Sequence, residues 1–297
     1  MIQKLGASPF IDAAAVEAWD AWFRWREQGE LRDLSVDATW ERVAWALASV
    51  EPEQQRLAFA RRLLVVFSDW QLLPGERILM TAGTPAAAWG GDDLVAVLNV
   101  ASFVSDPGSV AAALDLPRFM TVAALAVHLL DNAATLQGAG GPPPERLHIG
   151  IIGLGDALAL LGMRYDSDEA RAFAVEVVRS LAQGCASGHA ALAGQCHVAD
   201  ATERHGPRYR SLTAITSQRR LALFANATSD ALEPAAGAPR TYVIEAEEGN
   251  RQVRSPGYAA TLLGRDSAFD TAPEAARQAM RDAVQGWIDE AISAVSA

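Results

Sequence analysis

Residues 148–169 read HIGIIGLGDALALLGMRYDSDE, and this stretch decides how the rest of the chain is interpreted. Its first part is apolar and contains glycine, which favours a glycine-containing helix over Ile149–Met163. Asp166 and Glu169 then have the spacing of a capping box, in which the first side chain accepts from an unpaired helix amide and the second reaches back. The sequence therefore predicts a second helix that starts near Asp166 and continues to about Ala193.

Three glycines in this stretch, Gly150, Gly153 and Gly155, raise the alternative of a dinucleotide site. Their order, G-x-x-G-x-G, differs from the G-x-G-x-x-G fingerprint. A proline run at 142–144 precedes them, where the fingerprint requires a strand. We therefore interpret the glycines as positions of close helix packing.

The part of the chain before this stretch is predicted to be mostly helical. Trp19, Trp22 and Phe23 have helical spacing and form an aromatic stripe, as expected for a packed core. Ser35 is a suitable N-cap for a second helix, and a third is predicted from about Glu53 to Phe67. Further predicted elements are a buried strand over Leu94–Val104 and a helix over Pro117–Leu136.

The part after this stretch changes in character. Short strand-like runs are predicted at Tyr209–Ile215 and Arg220–Ala225, followed by a hairpin of Thr241–Glu245 with Arg251–Arg254. Thr271 is predicted to cap a last helix, whose broad apolar face includes Met280, Val284, Trp287 and Ile288. The sequence thus predicts a mainly α protein with a small β component. We expect one domain over 1–297, with an N-terminal helical region at 1–90.

Composition narrows the classes of function. The formal net charge of −11 argues against nucleic acid as a partner, because phosphate binding requires a basic face. Residues 1–10 do not resemble an export signal, and 149–163 is too short to span a bilayer, so no membrane partner is expected. With two cysteines, a disulfide framework is not indicated and a cytoplasmic setting is expected.

Several segments resemble, in order, parts of the large subunit of ribonucleotide reductase, most closely its adenosylcobalamin-dependent class. The most specific match is 148–169, which is similar to the family's GIGIMGLADALALLGIPYDSEEA. Five shorter segments resemble family elements. Residues 72–84 (LLPGERILMTAGT) resemble the family's PxxR…GT, and residues 98–102 (LNVAS) resemble its CNLASI. Residues 129–132 (LLDN) resemble its RFLDN, residues 229–234 (SDALEP) its SSGIEP, and residues 285–293 (QGWIDEAIS) its VQKWVDQAISKT. The resemblance implies that residues 91–297 are a remnant of the reductase α/β barrel.

The chain departs from the family at the residues that perform the reduction. The resemblance implies a thiyl radical on a cysteine in an Asn-x-Cys-x-Glu loop and two further cysteines that supply electrons. Only thirteen residues separate Thr84 from Leu98, so the block that carries the radical loop, the first redox cysteine and the effector loops is nearly absent. Leu98 stands where the second redox cysteine is expected. A leucine has no S–H bond and two electrons require two thiols, so we expect no reduction and no use of adenosylcobalamin.

The family's Pro-Thr-Gly-Thr-like phosphate loop corresponds to Ser217, Gln218, Arg219 and Arg220, without its proline or glycine. Two adjacent arginines can still hold a phosphate as paired cations, which makes these residues a candidate nucleotide or phosphate site. The alternative is a solvated turn.

A second candidate site is a cluster of cysteine and histidine. Cys185 and His189 are four residues apart on the predicted helix, so sulfur and nitrogen could face one metal ion, with Cys196 or His197 completing a tetrahedral site. His205 lies nearby. The spacing matches no common zinc signature, and the alternative is a small buried cysteine beside surface histidines.

Three functional hypotheses follow. The first is a non-reducing reductase homologue, a pseudoenzyme that binds a full-length reductase or a small ligand such as a nucleotide. The second is a repurposed metal-dependent enzyme that uses the 185–205 cluster. The third is a structural assembly protein. The apolar face of the last helix and the aromatic N-terminal helices predict a homo-oligomer.

Overall fold

The structure is a computed structural model that describes residues 10–87, 89–137, 144–196, 209–264 and 272–292, with the backbone alone for 194–196. About 52% of the chain is helical and 14% is strand. The prediction of a mainly α protein with a small β component is confirmed.

The two longest helices of the described chain lie in its middle third. The helices are α1 Ala13–Ala18, α2 Val36–Ala48, α3 Glu53–Ser68, α4 Glu76–Thr81, α5 Leu116–Gln137, α6 Leu154–Leu160, α7 Asp168–Cys196, α8 Arg219–Phe224, α9 Tyr258–Leu262 and α10 Glu274–Gln285. The strands are β1 Arg26–Glu27, β2 Glu30–Leu31, β3 Leu72–Pro74, β4 Val95–Asn99, β5 Val104–Ser105, β6 Ala113–Leu114, β7 Arg146–Ile152, β8 Ser211–Thr213, β9 Arg240–Ile244 and β10 Arg251–Ser255.

A four-stranded sheet of order β3-β4-β7-β8 lies at the centre. β4 and β7 are parallel, with Asn99 opposite Ile152 at their carboxyl ends, and β8 continues in parallel beside β7. β3 is antiparallel to β4. The predicted hairpin is confirmed as β9–β10, but it forms a separate two-stranded sheet and does not join the central one.

The predicted helix over Ile149–Met163 is wrong in its first half. Residues up to Ile152 form the buried central strand β7, and helix α6 follows at Leu154. Isoleucine is β-branched and favours a strand that is covered on both faces. Gly153 turns the chain between the two elements at φ +75°, a conformation that glycine adopts without strain.

The run Arg220–Ala225, predicted as a strand, belongs to helix α8. Phe224 at its end lies among aromatic rings of the N-terminal region, 4.9 Å from Phe23, 5.3 Å from Trp40 and 5.1 Å from Trp70 between ring centroids. Burial of this one ring therefore overrides the local strand propensity of the run.

The N-terminal ninety residues contribute to the same core as the rest of the chain. The Ser35 hydroxyl accepts from the amide of Ala38 and starts α2, as predicted. Strand β3 lies within this region but pairs with β4, so 1–90 is not purely helical and supplies an edge strand of the central sheet. One buried apolar cluster extends from Trp19 to Ile288.

Helices α5 and α7 pack closely against each other. A Cβ at Gly184 would lie 2.6 Å from the carbonyl oxygen of Met120, and a Cβ at Gly188 would lie 2.6 Å from that of Ala124. α5 is long and apolar enough to cross a bilayer, but 61% of its most apolar window is buried, as in the core helix of a soluble protein.

The start of α7 differs in detail from the prediction. The side chain that accepts from the amide of Ala170 is that of Ser167, not of Asp166. Asp166 instead pairs with the exposed Arg164.

Part of the apolar face that was predicted for self-association lies buried within the molecule. Met280 and Val284 are buried and α10 packs on α7, so the apolar face predicted for self-association is used inside the molecule. The Asp289 carboxylate accepts from the amides of Leu212 and Thr213 at 2.8 and 3.0 Å, which covers the outer edge of β8. Thr271 and most of the glycine- and proline-rich stretch at 137–144 lie outside the described residues.

Candidate functional site

The carboxyl ends of β4 and β7 are covered by residues 228–234, which we call the closing segment. The carbonyl of Ser229 accepts from the amide of Gly153 at 2.7 Å, and the Ser229 hydroxyl accepts from the amide of Asp156 at 3.2 Å. A Cβ at Gly155 would lie 2.3 Å from the carbonyl oxygen of Glu233. The backbone of the closing segment therefore occupies the space at the start of α6.

The packing of the closing segment argues against a dinucleotide site at these glycines, for a reason that the sequence did not show. A strand does precede Gly153 and Gly155, and Gly150 lies within it, so the argument from the proline run was wrong. Gly155 permits a close approach of the backbone of the closing segment, Gly150 a close approach of the Ala214 carbonyl, and Gly153 a close approach of the Asn99 and Thr228 side chains. Since the closing segment fills the turn, a pyrophosphate has no room there.

Asp156 fixes the closing segment to the sheet. Its fully buried carboxylate accepts from the amide of Ser229 at 2.5 Å, the amide of Ala259 at 2.9 Å and the hydroxyl of Thr228 at 3.2 Å. Burial raises the pKa of this carboxyl, and the three donors act in the opposite direction. Asp156 thus connects α6, the closing segment and α9.

The predicted phosphate residues Ser217 and Gln218 have an acidic partner within the protein. The hydroxyl of Ser217 donates to the Asp230 carboxylate at 2.5 Å, and the backbone amide of Gln218 donates to the same carboxylate at 2.6 Å. A carboxylate of the closing segment therefore occupies the place where an external anion would bind. These two residues contact protein and do not line the cleft described next.

Arg219 and Arg220 line a cleft of about 520 Å³, which we call the arginine cleft. Two more arginines from distant parts of the chain, Arg240 on β9 and Arg277 on α10, line it as well. The other lining residues are Trp22, Ala222, Leu223, Ala227, Thr228, Ser229, Asp230, Glu233, Pro234, Ala236, Tyr242, Val243 and Glu274. Four arginines from three elements thus line one concave surface.

Acidic neighbours hold two of these arginines in place. Arg220 lies 3.5 Å from the Glu76 carboxylate, and its guanidinium stacks 5.0 Å from the ring centroid of Trp22. Arg277 lies 3.3 Å from Glu233 and 3.8 Å from Glu274.

The charge of the arginine cleft contrasts with that of the chain. Its four arginines and three carboxylates leave it slightly positive, whereas the whole chain carries −11. Acidic neighbours hold the guanidinium groups of Arg220 and Arg277 in place, and guanidinium forks favour carboxylate or phosphate ligands. Sequence reasoning missed Arg240 and Arg277 because they belong to no local motif and reach the cleft only through the fold.

The predicted metal cluster is only partly within the described residues. Cys185 is fully buried, its thiol faces the carbonyl of Ala123 on α5 at 4.0 Å, and burial raises the pKa of this thiol. The Nε2 of His189 accepts from the amide of Tyr209 at 3.3 Å, and burial lowers the pKa of this imidazole. His197, His205 and the side chain of Cys196 lie outside the described residues.

Within the described ranges, no three histidine, cysteine, aspartate or glutamate side chains are arranged to hold a metal ion. The i, i+4 spacing of Cys185 and His189 placed both on one helix, as expected. However, the sulfur faces α5, and the imidazole Nε2 accepts a hydrogen bond from the backbone amide of Tyr209.

Leu98, in the position expected for a redox cysteine, is fully buried in β4 opposite Leu72 of β3. Cys185, the cysteine whose side chain the structure describes, does not line the arginine cleft. The chain matches no protein-family model, and no curated protein is significantly similar to it in sequence.

Proposed function

We propose that this protein is a degenerate relative of the adenosylcobalamin-dependent ribonucleotide reductase large subunit, which binds a phosphorylated small ligand and does not reduce it. In this proposal the four-stranded sheet is what remains of the reductase barrel. The observation that carries the proposal is the convergence of Arg219, Arg220, Arg240 and Arg277 on one cleft.

Binding of a phosphorylated ligand follows from the kind of groups that line the cleft. A guanidinium offers a planar fork of N–H donors that matches the oxygens of phosphate, and it stays charged at all physiological pH values. Trp22 and Tyr242 add flat apolar surface beside these charges. A molecule with a phosphate and a ring or short carbon chain satisfies both features, and a nucleotide is one such ligand.

The absence of reduction follows from the thiols. Hydrogen-atom transfer and two-electron reduction both need accessible sulfur at the substrate. Leu98 cannot supply it, and the buried thiol of Cys185 faces a carbonyl between two helices. Among the described side chains, no cysteine is placed to carry a radical, so adenosylcobalamin is not expected as a cofactor.

The setting of this activity is also a proposal. We expect the protein in the cytoplasm, with a full-length reductase or a second copy of the chain as partner. The exposed ring of Trp287, 4.6 Å from the Arg179 guanidinium, remains available at the end of α10 for such contacts.

The proposal is tested with purified protein, ADP, adenosylcobalamin and a dithiol. We expect no deoxynucleotide by chromatography, together with a rise in melting temperature when ADP is added, because a ligand of the native state stabilises it. A deoxynucleotide product would contradict the loss of reduction. An unchanged melting temperature at saturating ADP and saturating inorganic phosphate would contradict the binding site.

A further inference from the structure

A second cavity, of about 420 Å³, is lined by the two half-buried tryptophans Trp22 and Trp25, and we call it the tryptophan cavity. Its walls come from three parts of the chain, which are residues 20–27, the stretch 80–86 and the turn of the β9–β10 hairpin at 246–251. Trp22 also lines the arginine cleft, but the other lining residues of the tryptophan cavity do not. The two concave surfaces are therefore adjacent and chemically distinct.

A widened helical turn forms one wall of the tryptophan cavity. Trp19–Phe23 is a single π-helical turn, in which the amide of Arg24 donates to the carbonyl of Trp19 at 2.9 Å, and the chain is extended from Arg24 onward. Eight consecutive residues, 20–27, line the cavity as a result. A regular α-helix would distribute eight consecutive side chains around its whole circumference. Single π turns recur at functional sites.

The arginines of this cavity already have carboxylate partners. Arg24 and Arg26 lie 2.8 and 2.7 Å from the Asp20 carboxylate. Arg251 lies 3.0 Å from the same carboxylate and 2.6 Å from that of Glu17. These contacts are shorter than those of the paired arginines in the arginine cleft, which measure 3.3 to 3.8 Å. An external anion would have to displace Asp20, so the cavity is unsuited to anions.

Carboxylates outnumber arginines along the walls, by four to three. Two of the four are engaged, because Asp20 binds the arginines and Glu27 lies 3.0 Å from Arg32. The other two belong to the hairpin turn. Glu248 lies 3.9 Å from Arg251, and the side chain of Glu247 forms no hydrogen bond or ion pair with any of the described residues. The uncommitted charge of the cavity is therefore negative.

The two tryptophans attract cations within the protein itself. The Arg220 guanidinium lies 5.0 Å from the ring centroid of Trp22, and the Arg42 guanidinium lies 6.0 Å from that of Trp25. The face of an indole carries negative charge density and attracts a cation at such distances. Each indole has two faces, and these internal contacts use one of them. The rings line the cavity with surface of the same character.

We propose that the tryptophan cavity binds an organic cation, an alkylated ammonium whose carbon atoms pack on Trp22 and Trp25 and whose charge lies near Glu247 and Glu248. Such a ligand uses the aromatic surface and the free carboxylates together. A metal ion fits less well, because within the described ranges no three acidic, histidine or cysteine side chains are arranged to hold one. This site is additional to the proposed phosphate site and does not depend on it.

The test compares choline with 3,3-dimethyl-1-butanol, in which a neutral carbon replaces the charged nitrogen without changing the shape. Calorimetric titration of the full chain should show saturable binding of choline, at least about fivefold tighter than binding of the neutral alcohol. The preference should decrease as salt is added, because the hairpin carboxylates are exposed to solvent. Equal affinity for the two compounds, or no binding of choline, would overturn the inference.

Two variants locate the site. Trp25→Leu should weaken choline binding at least about fivefold, and Glu247→Gln, which keeps the size of the side chain, should weaken it about threefold. Trp45→Leu, at an exposed tryptophan outside the cavity, is the control and should bind choline as the wild type does. Unchanged choline affinity in both Trp25→Leu and Glu247→Gln would contradict the proposed site.

Inorganic phosphate separates this inference from the proposed function. Neither Trp25 nor Glu247 lines the arginine cleft, so both variants should keep the wild-type affinity for phosphate. This affinity also shows that the variants are folded. If Trp25→Leu loses phosphate binding as well, Glu247→Gln, at an exposed position of the hairpin turn, decides the matter. Phosphate binding without choline binding would refute this inference alone, and choline binding without phosphate binding would refute the proposed function alone.

Discussion

The α5–α7 pair and the arginine cleft are two regions where sequence patterns indicated a binding site, and the fold treats them differently. In the helix pair, Cys185 and His189 have a regular spacing, but the thiol is buried against Ala123 and the imidazole is bonded to Tyr209. At the cleft, Arg219 and Arg220 belong to a degenerate motif, but Arg240 and Arg277 join them. Spacing along a helix says which residues share a face, and only the packing of that face decides whether they meet solvent.

The largest expected effect on the free energy of unfolding comes from the close packing of α5 against α7. Gly188→Leu would place side-chain atoms where the backbone of Ala124 lies, and overpacking of this kind should lower the free energy of unfolding by about 3 kcal/mol or more. Urea unfolding measures it. Ala186→Leu, at an exposed position of the same helix, is the control and should change stability little. Equal, small effects in both variants would contradict the close packing.

Two buried asparagines differ in pairing: the side-chain amide of Asn132 is hydrogen-bonded, whereas that of Asn99 has no hydrogen-bond partner among the described residues. Asn132→Leu removes two hydrogen bonds and leaves Glu51 with one donor fewer, so stability should fall by about 2 kcal/mol. Asn99→Leu removes no hydrogen bond and should leave stability unchanged or higher. The comparison would be contradicted if Asn99→Leu were the more damaging of the two in thermal or urea unfolding.

Asp230 is expected to compete with external anions. Asp230→Ala removes a negative charge and releases the Ser217 hydroxyl and the Gln218 amide, so affinity for inorganic phosphate should rise about tenfold, or about 1.4 kcal/mol. Calorimetric titration measures the change. Glu248→Ala, an exposed acid outside the arginine cleft, is the control. An affinity no higher than that of the control would show that the predicted phosphate loop has no residual capacity.

Cys185 is expected to be a packing residue. Its raised pKa keeps the sulfur as a thiol, and a native protein should leave it unreactive toward a thiol reagent until it unfolds. Cys185→Ala should cost about 1 kcal/mol, because it deletes one small buried group. Modification kinetics of Cys196→Ser, which leaves Cys185 as the one cysteine, provide the measurement. Rapid modification of this variant under native conditions would contradict the burial.

His189 gives the smallest expected effect, and it depends on pH. Because burial lowers its pKa below the ordinary 6.5, the unfolded chain takes up the proton first as pH falls. Stability contributed by the neutral imidazole is therefore present above that value and is lost as pH falls through the lowered pKa. Between about pH 7 and pH 5, His189→Gln should lose less melting temperature than the wild type. Parallel curves would contradict a lowered pKa of His189 in the folded protein.

Local signals in the sequence were sufficient for much of the fold. Apolar patterns and capping signals predicted α2, α3, α5 and α7, and the turn residues predicted the β9–β10 hairpin. The sequence failed where burial outweighs local propensity. Ile149–Ile152 is flanked by glycine and resembles a helix, but its position between β4 and β8 makes it a strand. The aromatic rings that pack around Phe224 stabilise its position at the end of helix α8.

The candidate site was less predictable than the fold. The motif comparison located Arg219 and Arg220, but it could not show that Asp230 had taken the place of the anion beside Ser217. Arg240 and Arg277 are far apart in sequence, and nothing adjacent to them marks a ligand. Their shared role depends on how the closing segment lies over the carboxyl ends of β4 and β7, which is a property of the folded chain.

The central claim is that the four arginines form one anion site. The most direct measurement is a calorimetric titration of ADP into the wild type, into the double variant Arg219→Gln/Arg240→Gln, and into Arg164→Gln, which alters an exposed arginine outside the arginine cleft. We expect saturable binding to the wild type and to Arg164→Gln, and a loss of at least about tenfold in the double variant. Equal affinity in all three proteins, or no binding to the wild type, would contradict the account.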